Sequence, residues 1–130
     1  MIILTIRTDN PLAEIGLFAD TKQLSYVPWQ AHRLLAETIH QQIHQLLTEV
    51  DLELPAITGL VVFQGPGSFT GLRIGITVAN ALARTYHIPI VASQGNDWLQ
   101  LGISKLLKGI DDKLVLPEYG AAVHITLPKH

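Results

Sequence analysis

The segment Phe63-Gln64-Gly65-Pro66-Gly67-Ser68-Phe69-Thr70-Gly71-Leu72-Arg73-Ile74-Gly75-Ile76 restricts this chain's fold more than any other. It opens from Leu60-Val61-Val62-Phe63, which is apolar on both sides of a strand's alternation. Such a strand lies inside a sheet covered on both faces. A tight turn and then a helix follow. Gly65 and Gly67 supply backbone angles closed to other residues, and Pro66 fixes one angle between them. Ser68 or Thr70 offers a hydroxyl to cap the first free N–H groups of the helix. Backbone N–H groups converging at a helix N-terminus can hold an anion. No Gly-Lys-Ser/Thr follows, so the turn is not a Walker loop, and Gly65, Gly67 and Gly71 give GxGxxxG, a poor dinucleotide fingerprint. An anion cradle and a purely structural turn both remain open.

The helix beyond the turn carries a second constraint. Gly71, Gly75, Ala79 and Ala83 lie four apart and make one stripe of small residues. Interior glycines cost a helix roughly 1 kcal/mol each relative to alanine, so the close approach of another backbone should offset them. That backbone belongs either to the chain's own sheet or first helix, or to another molecule. The glycines alone do not separate the two.

The remaining pattern supplies an architecture. Ile2–Ile6, Ala13–Phe18 and Gln23–Pro28 read as three strands joined by turns at Asp9-Asn10-Pro11 and Asp20-Thr21-Lys22, with Pro28 marking an edge. From Ala31 to Val50 the period turns helical, with Leu35, Ile39, Ile43, Leu46 and Val50 on the core side. Ile57–Phe63, Leu72–Tyr86, Ile88–Ala92 and Asp97–Leu107 continue as strand, helix, strand and short helix, the last stopped by Gly109. The tail holds an apolar piece (Lys113–Leu116) and an alternating one (Val123–Leu127). The expected fold class is α/β: a mixed sheet of three antiparallel strands followed by helix, strand, helix, strand and helix, with helices on its faces. This order resembles a single ribonuclease-H-like lobe of the actin/hexokinase superfamily.

Composition excludes several functions. A net charge of -2 with scattered basic residues argues against a free-standing nucleic-acid binder. The chain has no cysteine, so there is no disulfide framework and no thiolate metal site. Met1-Ile2-Ile3-Leu4 is too short for a leader, and no apolar run reaches the roughly 20 residues of a membrane span, so a cytoplasmic protein with no membrane partner is expected. With 48% hydrophobic and only 15% charged residues, some apolar surface is left for a partner.

The run Gly65-Pro66-Gly67-Ser68-Phe69-Thr70-Gly71-Leu72-Arg73-Ile74-Gly75 closely resembles the signature of the TsaB (YeaZ) family. Gly59–Phe63, Ala79-Asn80-Ala81-Leu82-Ala83, Ile88-Pro89-Ile90-Val91 and His32-Arg33-Leu34-Leu35 are similar as well, so the likeness runs from Met1 to roughly Leu107. The resemblance implies a non-catalytic scaffold without cofactor. Members pair with the related catalytic subunit TsaD and, through the complex, with the ATPase TsaE. That complex moves threonylcarbamoyl from its adenylate onto adenosine 37 of tRNA, which the scaffold meets only through the complex. Homodimers using the same first two helices also occur. By position, the implied partner face is Leu34, Thr38, Gly71, Leu72, Gly75, Ile76, Ala79 and Ala83. On that reading Gly75→Leu weakens assembly while the monomer still folds.

Two departures stand out. Where the family reads Asp-Thr-Ser after its first strand, this chain reads Arg7-Thr8-Asp9. Arginine cannot ligate Mg²⁺, and Asp9 shares a strand face with Arg7, so the two are placed to pair. Typical members also carry a second lobe, whereas about 20 residues follow Lys108 here. The expectation is one lobe over 1–130 with 111–130 a short tail, Leu116–Tyr119 and Ile125–Pro128 being remnants of the family's final strand. Such a lobe lacks the interlobe cleft that binds nucleotide. The alternative is a small nucleotide- or anion-binding enzyme using the Gly65–Gly71 turn; a third reading is a homodimer whose link to tRNA modification has lapsed. His40 and His44 have metal-pair spacing without an evident third ligand, and His124 and His130 have no partner that can be named. Ser68 lacks a nucleophile elbow, and Trp29, Trp98 and Tyr119 are too isolated for base stacking.

Overall fold

The computed structural model describes residues 1–119, apart from the side chain of His32. The alternating piece Val123–Leu127, the proposed remnant Ile125–Pro128, and His124 and His130 lie outside the described residues.

Strands β1 (Ile2–Arg7), β2 (Leu12–Ala19) and β3 (Lys22–Gln30) form an antiparallel meander, and the chain then turns helical through α1 (Leu35–Glu49). Strand β4 (Gly59–Phe63), helix α2 (Phe69–Tyr86), β5 (Ile90–Ser93) and α3 (Trp98–Leu107) complete the order. The sheet runs β3-β2-β1-β4-β5, with β4 parallel to β1 and β5 parallel to β4. Leu4 therefore sits between Leu17 on one side and Leu60 on the other. The α/β expectation of a mixed sheet, with three antiparallel strands followed by helix, strand, helix, strand and helix, holds. Several boundaries shift: α2 begins at Phe69 rather than Leu72, β4 and β5 begin at Gly59 and Ile90 rather than Ile57 and Ile88, and a 3-10 turn over His32–Leu34 precedes α1.

All five residues of β4 are buried, as its apolar run requires. Helix α3 covers the face bearing Gly59, Val61 and Phe63. A Cβ on Gly102 would strike Val61, one on Gly59 would meet Leu106, and the Phe63 and Trp98 rings meet edge to face with centroids 5.8 Å apart. Helices α1 and α2 cover the opposite face, α1 through Leu35, Ile39, Ile43 and Leu46 at the three-and-four spacing read from the sequence, with Leu47 buried beside them and Val50, expected in the same stripe, only partly buried.

The two sheet edges are handled differently. Strand β3 is an edge and contains Pro28, which cannot donate to a further strand. Strand β5 is covered by a strap formed by residues 110–119. Asp111 accepts the Ile90 N–H at 3.1 Å, Asp112 accepts the Ala92 N–H at 2.8 Å, and the Asp112 N–H donates to Ile90. Lys105 Nζ donates to the Ala92 carbonyl at 2.9 Å. Polar side chains thus take the place of a further strand. The strap then crosses to α2, where the Asn80 amide brackets the buried Val115: Nδ2 donates to its carbonyl at 2.9 Å and Oδ1 accepts its N–H at 3.0 Å. The described part of the expected tail is an integral piece of the fold.

Asn80→Ala removes both bonds and leaves two strap main-chain groups without partners. It should lower stability by about 1–3 kcal/mol in urea unfolding, with the cooperative transition retained.

Candidate functional site at the signature turn

The glycines of the signature turn sit on the end of β1. Thr8 and Asp9, the residues just past that strand, form the seat. A Cβ on Gly67 would overlap Asp9, one on Gly71 would overlap the Thr8 carbonyl, and one on Gly75 would overlap the Thr8 hydroxyl and methyl. Two hydrogen bonds fix the same contact: the Ser68 N–H donates to the Asp9 carbonyl at 2.9 Å, and Thr8 Oγ1 donates to the Gly71 carbonyl at 2.7 Å. Thr8 is almost fully buried there. On its other side the turn meets the strap. Gly65 has φ 125°, a conformation closed to side chains, and a Cβ would also overlap the Glu118 carbonyl. Gln64 holds the strap in place, donating through Nε2 to Leu116 and accepting from Glu118 through its carbonyl, each at 2.9 Å. Phe69 stacks on Tyr119 with centroids 4.4 Å apart.

This geometry corrects three expectations. Gly67 has no left-handed backbone; it is glycine because Asp9 leaves no room for a side chain. Ser68 is the N-cap of α2 but makes no side-chain capping bond, and Thr70 lies inside the first turn. The stripe of small residues packs within the molecule. Of the implied partner face, Leu72, Gly75, Ile76, Ala79 and Ala83 are buried against this chain's own sheet, because Gly71 and Gly75 meet Thr8 and the rest of the stripe follows the same side of α2. Thr38 is half-buried and engaged, accepting from Trp29 Nε1 at 3.0 Å and donating to the Leu34 carbonyl at 2.8 Å. Gly71 keeps partial exposure, and Leu34 remains 54% exposed. Arg73 of the signature is exposed, and its guanidinium lies 5.9 Å from the Phe69 ring centroid. A cleft of about 410 Å³ opens beside these residues, lined by Arg33, Ser68, Thr70, Gly71 and Ile74 among others.

At the end of β1 the Arg7–Asp9 pairing is as read from the sequence. Nε meets Oδ1 at 2.8 Å and Nη2 meets Oδ2 at 3.1 Å, a bidentate fork. The guanidinium lies over the Phe63 ring, 3.9 Å from its centroid. The Asp9 bond, set against partial burial, raises the Arg7 pKa. Behind it, Tyr26 donates to Glu14 at 2.5 Å, and burial followed by that bond pushes the phenol well above its usual range. The Tyr26 ring lies against Gly16, where a Cβ would come within 2.6 Å of it. The Thr5 hydroxyl nearby is buried without a hydrogen-bond partner. Sequence reading missed Thr8, Gln64, Asn80 and Glu118. Only Thr8 left a signal, as a small polar residue ending an apolar strand. His40 and His44 are both exposed, and no group of three metal-ligating side chains occurs among the described residues.

Residues 20–98, from the turn between β2 and β3 to the first residue of α3, match the family model described as TsaD: tRNA N6-adenosine threonylcarbamoyltransferase. The chain is 38% identical over 95 residues to the tRNA threonylcarbamoyladenosine biosynthesis protein TsaB of Bacillus subtilis, covering 71% of this chain and 40% of that protein. It is 31% identical over 126 residues to TsaB of Escherichia coli, covering 88% of this chain and 52% of that one. Among solved structures, YeaZ from Pseudomonas aeruginosa superposes with a TM-score of 0.64 at 29% identity, over 72% of this chain and 43% of that chain. The chain belongs to the TsaB/YeaZ family. It spans about half or less of the length of these relatives. The ribonuclease-H-like sheet of the family accounts for the strand order, and the Arg7–Asp9 pair marks this member's departure from the pattern expected at the end of β1.

The expectation that Gly75→Leu spares the monomer is reversed by these contacts. The substitution should abolish the folded state, read as loss of dispersed amide resonances in a two-dimensional NMR spectrum, because a leucine cannot share space with Thr8.

Proposed function

We propose that this chain is a non-catalytic scaffold lobe in tRNA N6-threonylcarbamoyladenosine formation, docking the catalytic subunit TsaD in the cytoplasm. On this reading TsaE and tRNA are met only through the complex, and a homodimer uses the same helices when TsaD is absent. Membership of the TsaB/YeaZ family carries the proposal. The local chemistry supports a binding role over a catalytic one. Thr8 bonds Gly71, the Asp9 carboxylate bonds Arg7, and the Asp9 carbonyl bonds Ser68, so the polar groups at the end of β1 are engaged within the chain. No helix among the described residues is long and apolar enough to cross a membrane.

With the small stripe buried, the docking face is redrawn around what α1 and α2 leave exposed. Leu34 and Phe69, 54% and 55% exposed, are chain neighbours of Arg33, Leu35, Ser68 and Thr70, which line the cleft with Gly71 and Ile74. Large apolar side chains around a concave opening suit the core of a protein interface, with Arg33 and Arg73 at its rim.

Reconstitution of tRNA threonylcarbamoylation with and without this chain tests the reading. Product formation should depend on the chain, and the isolated chain should not bind ATP with Mg²⁺ at micromolar concentration. Leu34→Asp and Phe69→Asp should each weaken TsaD binding by about tenfold or more in calorimetry, the effect of placing a charge in an interface core. Mg²⁺-dependent ATP binding by the chain alone, with product formed equally well in its absence, would instead favour the enzyme reading.

A further inference from the structure

We infer that the Arg7–Asp9 pair is the positioning device of the signature turn, and through it of the N-terminal end of α2 that faces the partner. The docking half of this inference rests on the proposed scaffold role; the positioning half does not.

Asp9 has three tasks within one residue. Its carboxylate takes both arms of the Arg7 fork, its carbonyl accepts the Ser68 N–H, and its Cβ fills the space left open by Gly67. Arg7 is itself held from two directions, by Asp9 and by the Phe63 ring beneath its guanidinium. Phe63 is the last residue of β4, two positions before Gly65. One cation therefore spans the two parallel strands at the point where the turn departs, fixing the end of β1 relative to the end of β4. The Asp9 and Arg7 side chains are 11% and 25% exposed, so the pair is partly withdrawn from solvent screening.

The consequence is local. Without the fork, Asp9 has no side-chain tether. Its carbonyl and Cβ, the surfaces against which Ser68 and Gly67 rest, are then free to shift by the few tenths of an ångström that a tight seat does not tolerate. Thr8 would keep its bond to Gly71, so α2 should stay docked while the turn before it loosens. Phe69, one residue beyond Ser68, is the exposed apolar group most directly moved.

Asp9→Asn keeps the shape and removes the charge, Arg7→Lys keeps the charge and removes the fork, and Asp9→Glu keeps a carboxylate within reach of the guanidinium. Amide hydrogen exchange of the free chain and calorimetric binding to TsaD are measured for each. Asp9→Asn and Arg7→Lys should speed exchange at the Ser68 amide by about tenfold, the loss expected for a charge-assisted bond, while Ile15 and Val61 amides in the sheet exchange as before. TsaD binding should weaken by a similar factor, and Asp9→Glu should recover most of both effects. Unchanged Ser68 exchange in Asp9→Asn would overturn the positioning role whatever TsaD does. Faster exchange at Ser68 with undiminished TsaD binding would overturn the link to docking. Failure of the unaltered chain to bind TsaD would defeat the scaffold reading alone, leaving the exchange result to decide the positioning role.

Discussion

Close contact between α2 and the end of β1 is the constraint from which the rest of this molecule follows. A helix can reach a strand end this nearly only where side chains are absent, and Gly71 and Gly75 meet Thr8 where any Cβ would overlap it. The penalty for interior helix glycines is offset inside the chain, by the Thr8 bond to Gly71 and by burial of Leu72, Ile76 and Ala79 on the sheet. Gly67 extends the same contact into the turn, and the Asp9 carbonyl completes it. Turn, helix start and strand end form one unit, and the direction in which α2 leaves the sheet is set there.

The same unit explains which chemistry the site supports. In an open α/β sheet the ends of parallel strands are where ligands gather. Here that position is occupied by the chain's own groups: Arg7 lies over Phe63 and grips Asp9, while the strap approaches from the other side through Glu118 and Tyr119. The Asp9 carboxylate, the Thr8 hydroxyl and the Ser68 N–H are already paired within the chain. The outward surface mixes apolar Leu34, Phe69 and Leu116, each more than half exposed, with exposed Arg33, Ser68, Thr70 and Arg73, a combination that suits recognition of another protein.

The sheet and its helices were legible because periodicity reports burial directly. The stripe Leu35, Ile39, Ile43 and Leu46 and the unbroken apolar run of β4 could be placed from spacing alone. The Arg7–Asp9 pair was legible for the same reason, since strand alternation puts both on one face. Two features were not. A stripe of small residues records that something comes close without recording what, and here it is Thr8, some sixty residues away in sequence. The strap carries no period at all: Asp111, Asp112 and Val115 are held by hydrogen bonds to β5 and α2 that local pattern cannot anticipate. Family likeness led to the right fold, but it also led to reading a buried stripe as a docking face.

A double-mutant cycle between Thr8→Ala and Gly75→Ala, followed by equilibrium unfolding, tests the central contact most directly. If the Thr8 side chain is what excludes a Cβ at Gly75, shortening it should relieve much of the penalty of Gly75→Ala, giving a coupling of about 1–2 kcal/mol. Additive costs, within about 0.5 kcal/mol, would mean that the two residues do not bear on each other and that the glycines of α2 answer to something outside this chain.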